Sequence, residues 1–193
     1  VILVAVVSAL LLDEPLAPLG WGAAGLCMVG VAWLAAPDRV RDVLSSAADP
    51  AALMGIAAGG MFALAAVGIR GASTSLDDAP SWNRALLTLT VMLGIQTTIN
   101  SAQLALTAPS ELAAVARSWR AAIPVGVLSL AGSAGWALAV TLTSAAKVRT
   151  LGQVELIIAF AISAWWLRER HRPAEYAASG LVLLGVVGVV TLG

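Results

Sequence analysis

Residues 181–190 read LVLLGVVGVV and lie within an apolar run from 174 to 193. A helix of about 20 residues, rising 1.5 Å per residue, crosses a hydrocarbon core of about 30 Å. The strands of a membrane barrel would be about ten residues long and would alternate polar with apolar residues. The run shows no such alternation, so it predicts a transmembrane α-helix.

Six further apolar segments precede this run. Seven of the eight prolines fall in the connections or at segment edges, and Pro124 falls in a first turn, where its missing N–H costs little. We therefore predict an all-α, polytopic transmembrane bundle of about seven spans. The segments cover residues 1–12, 19–36, 51–69, 85–106, 121–145, 151–167 and 174–193.

The composition excludes other classes of protein. Of 193 residues, 60% are hydrophobic and 11% are charged, whereas soluble domains have about 45–50% and about 25%. Net charge is zero and no basic face is visible, so the expected partner is the lipid bilayer and not nucleic acid. One cysteine and one histidine cannot form the usual zinc motifs. We expect no metal, no cofactor and no enzymatic activity, and we expect His171 to be exposed.

An internal repeat organises the chain, because residues 1–35 align without gaps on residues 156–190. Equivalent segments are five crossings apart, and since five is odd, the two copies have opposite orientations in the membrane. Inverted repeats are typical of secondary transporters, with the substrate site near the midplane. The most informative identical pairs are Glu14/Glu169, Pro18/Pro173, Gly25/Gly180 and Gly30/Gly185.

These residues, together with Leu12/Leu167 and Val31/Val186, resemble the closing signature of the EamA domain of the drug/metabolite transporter superfamily. Two five-helix domains form such a transporter. The resemblance implies that residues 1–36 are the last two helices of a first repeat, 37–50 a linker and 51–193 a complete second repeat. About three preceding helices, or a second copy, would complete the bundle.

The resemblance also implies a function. It predicts a transporter of the bacterial-type cytoplasmic (inner) membrane that moves a small metabolite or drug by alternating access, with proton coupling as one option. The alternative is a truncated or decayed fragment that has no transport activity of its own.

Glu155 is the one charged residue away from the segment ends. A charge at bilayer depth is costly and therefore marks a functional candidate. One interpretation is a structural anchor at a helix start, or an ion pair with Lys147 or Arg149, which we expect in the preceding loop. The other is proton coupling or substrate contact.

The fourth segment carries polar residues on one helix face, since Gln96, Asn100 and Gln103 are spaced i, i+4 and i+7. Amides that face lipid would lack hydrogen-bond partners. This face therefore either lines a cavity or packs on another helix, and Trp136, which lies away from a segment end, is a further cavity candidate. Residues 108–120 are either an amphipathic interfacial helix or a polar loop.

Overall fold

The computed structural model describes residues 1–35, 50–76, 78–169 and 171–193. In these residues all regular structure is helical, which confirms the predicted fold class. The predicted linker lies outside the described residues except for Pro50, which begins α3. The helices are α1 (Ile2–Leu12), α2 (Pro18–Ala35), α3 (Pro50–Thr74), α4 (Ser81–Thr107), α5 (Pro109–Arg117), α6 (Trp119–Leu142), α7 (Ala145–Leu151), α8 (Val154–Trp165) and α9 (Pro173–Leu192).

Five stretches are long and apolar enough to cross a membrane, while α1 and α2 are shorter apolar helices. Many large apolar side chains on these helices are exposed, as a lipid-facing surface requires. Residues 108–120 contain the helix α5, so the loop alternative for them is wrong. The five stretches are Ala52–Thr74, Ser81–Thr107, Trp119–Leu142, Ala145–Trp165 and Pro173–Leu192.

The sixth apolar segment begins earlier than the sequence predicts. Ser144 caps α7, because its side-chain oxygen accepts a hydrogen bond from the backbone N–H of Lys147 at 3.4 Å. Lys147 and Arg149 are therefore half-buried helical residues, and the expectation that they are loop charges is wrong. Four of the seven residues of α7 are buried, which holds it in place: Ala145, Ala146, Val148 and Thr150.

A tight turn joins α7 to α8 within this span. The backbone N–H groups of Gln153, Glu155 and Leu156 each donate to the carbonyl three residues earlier, at 3.0–3.1 Å. Gly152 keeps right-handed helical angles, so the helix tightens here without reversing. A short tightened stretch inside a helix often marks a hinge.

The described residues form two compact units, Val1–Gly68 with Thr143–Gly193, and Ile69–Leu142. The first unit holds α1, α2, most of α3 and α7–α9. The second holds the end of α3 with α4, α5 and α6. These units follow packing within the structure, and the division into two sequence repeats stays a prediction.

Helices α2 and α9 cross in the first unit at two glycines of the repeat. A Cβ atom added to Gly30 would lie 2.7 Å from the backbone nitrogen of Val182, and one added to Gly185 would lie 2.6 Å from the Cα of Cys27. Cys27 and Val182 are 155 residues apart, as are the two glycines. Each contact is therefore the image of the other, the relation that a two-fold axis produces.

The repeat also extends to the ends of α1 and α8. Asp13 and Arg168, which are 155 residues apart, are left-handed with φ of 54° and 55°. The next residue in each case, Glu14 or Glu169, donates its N–H to the carbonyl of the serine six residues earlier, at 3.4 and 3.1 Å. Pro18 and Pro173 then begin α2 and α9, a favoured position for proline.

Candidate functional site

The polar face of α4 continues its packing face. Ala85 and Leu89 of α4 pack with Ala137 of α6. At 3.6 residues per turn, Gln96, Asn100 and Gln103 lie on the same side of α4 as Ala85 and Leu89, farther along the helix. We name these three residues the amide stripe. Gln96 is two residues beyond the middle of this 27-residue helix, so the stripe begins near the centre of the span.

The three amides of the amide stripe are exposed. Within the described part of the chain they make no hydrogen bond, whereas the hydroxyls of Thr98 and Thr107 each donate to a carbonyl of their own helix at 2.8 Å. A hydrocarbon surface offers amides no partners, so these groups need water, solute or other protein around them.

In its N-terminal half, α6 is exposed on the side that packs on α4 farther along the helix. The packing of α6 on α4 lies at Ala134–Leu138. Toward its N-terminus, the same side of α6 carries Ile123, Val127 and Leu130, which are 47%, 60% and 52% exposed. The two helices thus contact each other at one end and expose an amide face and an apolar face at the other. This pair of faces suits an amphipathic or uncharged solute.

Trp136 is 41% exposed and precedes Ala137, so it points about 100° around α6 from the packing face. It belongs to the same unit as the amide stripe. The structure does not place it on the side of α6 that meets α4.

Glu155 lies at the middle of its span and not near the start, because the span covers Ala145–Trp165. It is in the first turn of α8, where the N-terminal partial charge favours an anion. Its side chain is exposed, and the described residues show no ion pair between it and Lys147 or Arg149. Glu155 is therefore an exposed acid at the centre of a span.

Arg149 is held by an aromatic ring. Its guanidinium carbon lies 4.3 Å from the centre of the Phe62 ring, a cation–π distance. This contact places a cation within the same span as Glu155, about six residues earlier in the chain.

Arg70 also has a role that the sequence does not show. Its guanidinium donates to the carbonyls of Val140 and Thr141, at 2.9 and 3.0 Å, in the last turn of α6. A cation at a helix C-terminus satisfies the last carbonyls and favours the helix dipole. Arg70 therefore joins the end of α3 to the end of α6.

A polar network at the junction of α8 and α9 escaped the sequence analysis. The His171 side chain is only 14% exposed, so the expectation that it is exposed is wrong. Its Nδ1 lies 2.6 Å from Glu175 Oε2 and its Nε2 lies 3.0 Å from Ser163 Oγ, which also bonds Glu169. The spacing of His171 and Glu175, four residues apart at a helix start, was a signal for this pair.

The eight signature residues of the repeat fall into three groups. Gly30 and Gly185 lie at the crossing, while Cβ atoms added to Gly25 and Gly180 would meet nothing within 4 Å. The remaining four, Glu14, Pro18, Glu169 and Pro173, lie at the two turns.

Apolar helices of spanning length, with a polar face on α4 and an acid in mid-span, define a multi-pass membrane protein. The chain belongs to the EamA-like transporter family, whose model matches residues 49–191. The resemblance to the drug/metabolite transporter superfamily is thereby confirmed, and the chain is a membrane transporter of that type. Searches of curated proteins and of solved structures find no match.

Proposed function

We propose that this protein moves a small metabolite or drug across the bacterial inner membrane by alternating access between two inverted repeats. The solute is uncharged, zwitterionic or amphipathic. The observation that carries this proposal is the amide stripe, because its donors and acceptors are exposed at span depth without partners in the described residues.

The free-energy cost of leaving the amide stripe without hydrogen-bond partners supports a solute-binding role. In protein interiors, a buried polar group without a partner costs about 1–3 kcal/mol. Packing between membrane helices gains only about 0.6 kcal/mol per interhelical hydrogen bond. Three amides on one face are therefore better satisfied by a hydrated cavity than by a single neighbouring helix.

Replacing an amide of the stripe should reduce transport. We expect Gln96→Leu to lower the initial transport rate of the best solute from a panel of metabolites and drugs about tenfold, since losing a hydrogen bond of about 1.4 kcal/mol changes an equilibrium tenfold. The measurement is uptake or efflux in proteoliposomes that contain the purified chain, with equal protein content.

Thr98→Val is the matched control, because Thr98 lies on the opposite side of α4 and its hydroxyl already bonds Gly94. Its transport rate should stay within about twofold of the wild type. Equal rates for Gln96→Leu and the wild type would remove the amide stripe from the site. A wild-type chain that transports no member of the panel would favour the fragment alternative.

Glu155 is proposed to carry a coupling proton or to contact the solute. We expect Glu155→Gln to abolish transport while membrane insertion and folded yield stay at wild-type levels, because glutamine keeps the size of the side chain and removes its charge. The measurement is transport with and without an imposed pH gradient. Unchanged transport under both conditions would exclude Glu155 from the mechanism.

A further inference from the structure

We propose that Ser163, Glu169, His171 and Glu175 form a site that binds one proton and joins the end of α8 to the start of α9. We name these four residues the proton site. The proposal goes beyond the transport function and does not rest on it, since it concerns the bonding of side chains that no transport step above uses.

The geometry of the proton site has three polar contacts in series. Glu169 Oε2 contacts Ser163 Oγ, Ser163 Oγ contacts His171 Nε2 at 3.0 Å, and His171 Nδ1 contacts Glu175 Oε2 at 2.6 Å. Phe160 of α8 and Tyr176 of α9 lie on one side of the imidazole, with ring centres 4.4 and 6.3 Å from it and 5.0 Å from each other.

With a neutral imidazole, the three contacts have one hydrogen too few. Each of the three contacts needs one hydrogen between its two heavy atoms. A serine hydroxyl supplies one, a neutral imidazole supplies one, and two carboxylates supply none. The third hydrogen must be an added proton.

The added proton fits on the imidazole of His171. In the imidazolium form both ring nitrogens donate, Nδ1 to Glu175 and Nε2 to Ser163, and the serine hydroxyl is then free to donate to Glu169. Every contact is satisfied, and all three are charge-assisted because each has an ionised donor or acceptor. Without the proton, one contact would bring two acceptors together.

The acidic groups of the network agree with this assignment. Glu175 contacts His171 from α9, Glu169 reaches it through Ser163, and the ring of Tyr176 lies 6.3 Å from it. The described basic residues nearest to it in the chain are Arg168 and Arg172. Helix α2, which packs on α9, carries no acidic or basic side chain. Helix α7 packs on α9 near Val189, at the other end of that helix, so Lys147 and Arg149 lie far from His171.

The first hairpin contains the apolar counterpart of the proton site. Ser8 and Glu14 correspond to Ser163 and Glu169, but Leu16 stands where His171 does and Gly20 where Glu175 does. A Cβ on Gly20 would lie 2.6 Å from the Cα of Gly193, so that turn has no room for a glutamate. Of these two hairpins, α8–α9 alone therefore has the four residues of the proton site.

His171 is the only histidine of the chain, so its ring gives a single set of signals in a protein labelled with 15N-histidine. We expect both ring nitrogens of the wild-type chain to carry a proton at pH 7, in detergent micelles. The measurement is the 15N chemical shift and the one-bond N–H coupling of each ring nitrogen.

Two isosteric variants test the hydrogen count. In Glu175→Gln the new amide can donate to Nδ1, and in Glu169→Gln the new amide can donate to Ser163. Either change supplies the third hydrogen, so we expect each variant to lose one of the two ring N–H protons at pH 7. Glu14→Gln, the equivalent change in the first hairpin, should leave both protons in place.

The proposal would be overturned if only one ring nitrogen of wild-type His171 carried a proton. It would also be overturned if both variants folded and both kept two ring N–H protons. Melting of the helical circular dichroism signal shows whether each variant is folded. If one variant fails to fold, the other decides, because the two carboxylates lie on different segments.

Discussion

The hairpins α1–α2 and α8–α9 have similar backbone geometry, but Leu16 makes the first turn apolar and His171 makes the second polar. In both hairpins a left-handed residue lies in the connection after the first helix and the second helix begins at a proline. Each second helix also contributes one glycine to the α2–α9 crossing. The α1–α2 turn buries Leu16 among Ala5, Ala24, Ala146 and Val189, while the α8–α9 turn holds His171 in a polar network. Packing geometry is thus shared between the hairpins, whereas the described histidine–carboxylate network lies at one of them.

The largest expected effect tests the shared geometry. We expect Gly185→Ala to lower the free energy of unfolding by about 3 kcal/mol, because the added methyl would overlap the backbone of Cys27 and force α2 and α9 apart. The measurement is unfolding by SDS in mixed micelles. In Gly180→Ala the methyl meets nothing within 4 Å, so the change should be neutral or should stabilise by up to about 1 kcal/mol. Equal destabilisation by both would contradict the proposed crossing.

A smaller effect tests the apolar turn. We expect Leu16→His to destabilise the chain by about 2 kcal/mol, because Leu16 is only 6% exposed and a buried imidazole without a carboxylate partner has a large desolvation cost. The same unfolding titration measures it. Leu16→Met, which keeps the volume and the apolar character, should cost less than about 1.5 kcal/mol. If Leu16→His left the free energy of unfolding unchanged, the first turn would not require an apolar residue at this position.

The smallest effect tests the polar turn. We expect His171→Leu to destabilise by about 1 kcal/mol, since the hydrogen bonds of a half-buried network are replaced by water or by apolar contact with Phe160. The same SDS unfolding titration measures it. A variant as stable as the wild type would show that the polar network contributes nothing to the free energy of unfolding.

The class of fold could be read from the sequence because membrane helices satisfy their own backbone hydrogen bonds and need only length and apolarity. The internal repeat, at a spacing of 155 residues, likewise predicted which glycines and prolines would be equivalent. The same local rules could not place the start of α7, because a serine cap and four buried small residues, and not hydropathy, extend that helix to Ala145.

The candidate site was predictable in part. The spacing of Gln96, Asn100 and Gln103 predicted a shared face, but only the structure shows that this face continues the α4–α6 contact. The sequence placed Glu155 near a helix start, and the structure adds that this start lies in mid-span. His171 was misjudged because its charged neighbours in the sequence indicate exposure, while its partners Ser163 and Phe160 come from another helix.

The sequence by itself determined that this is a helical, multi-pass membrane protein of the EamA-like family, because apolar run length and repeated signature residues are local properties of the chain. Only the tertiary structure decided which glycines form the α2–α9 crossing, where the span of Glu155 begins, and that His171 lies in a polar network at one turn. These features depend on atoms that are distant in sequence and come within hydrogen-bonding or van der Waals distance only when the helices pack.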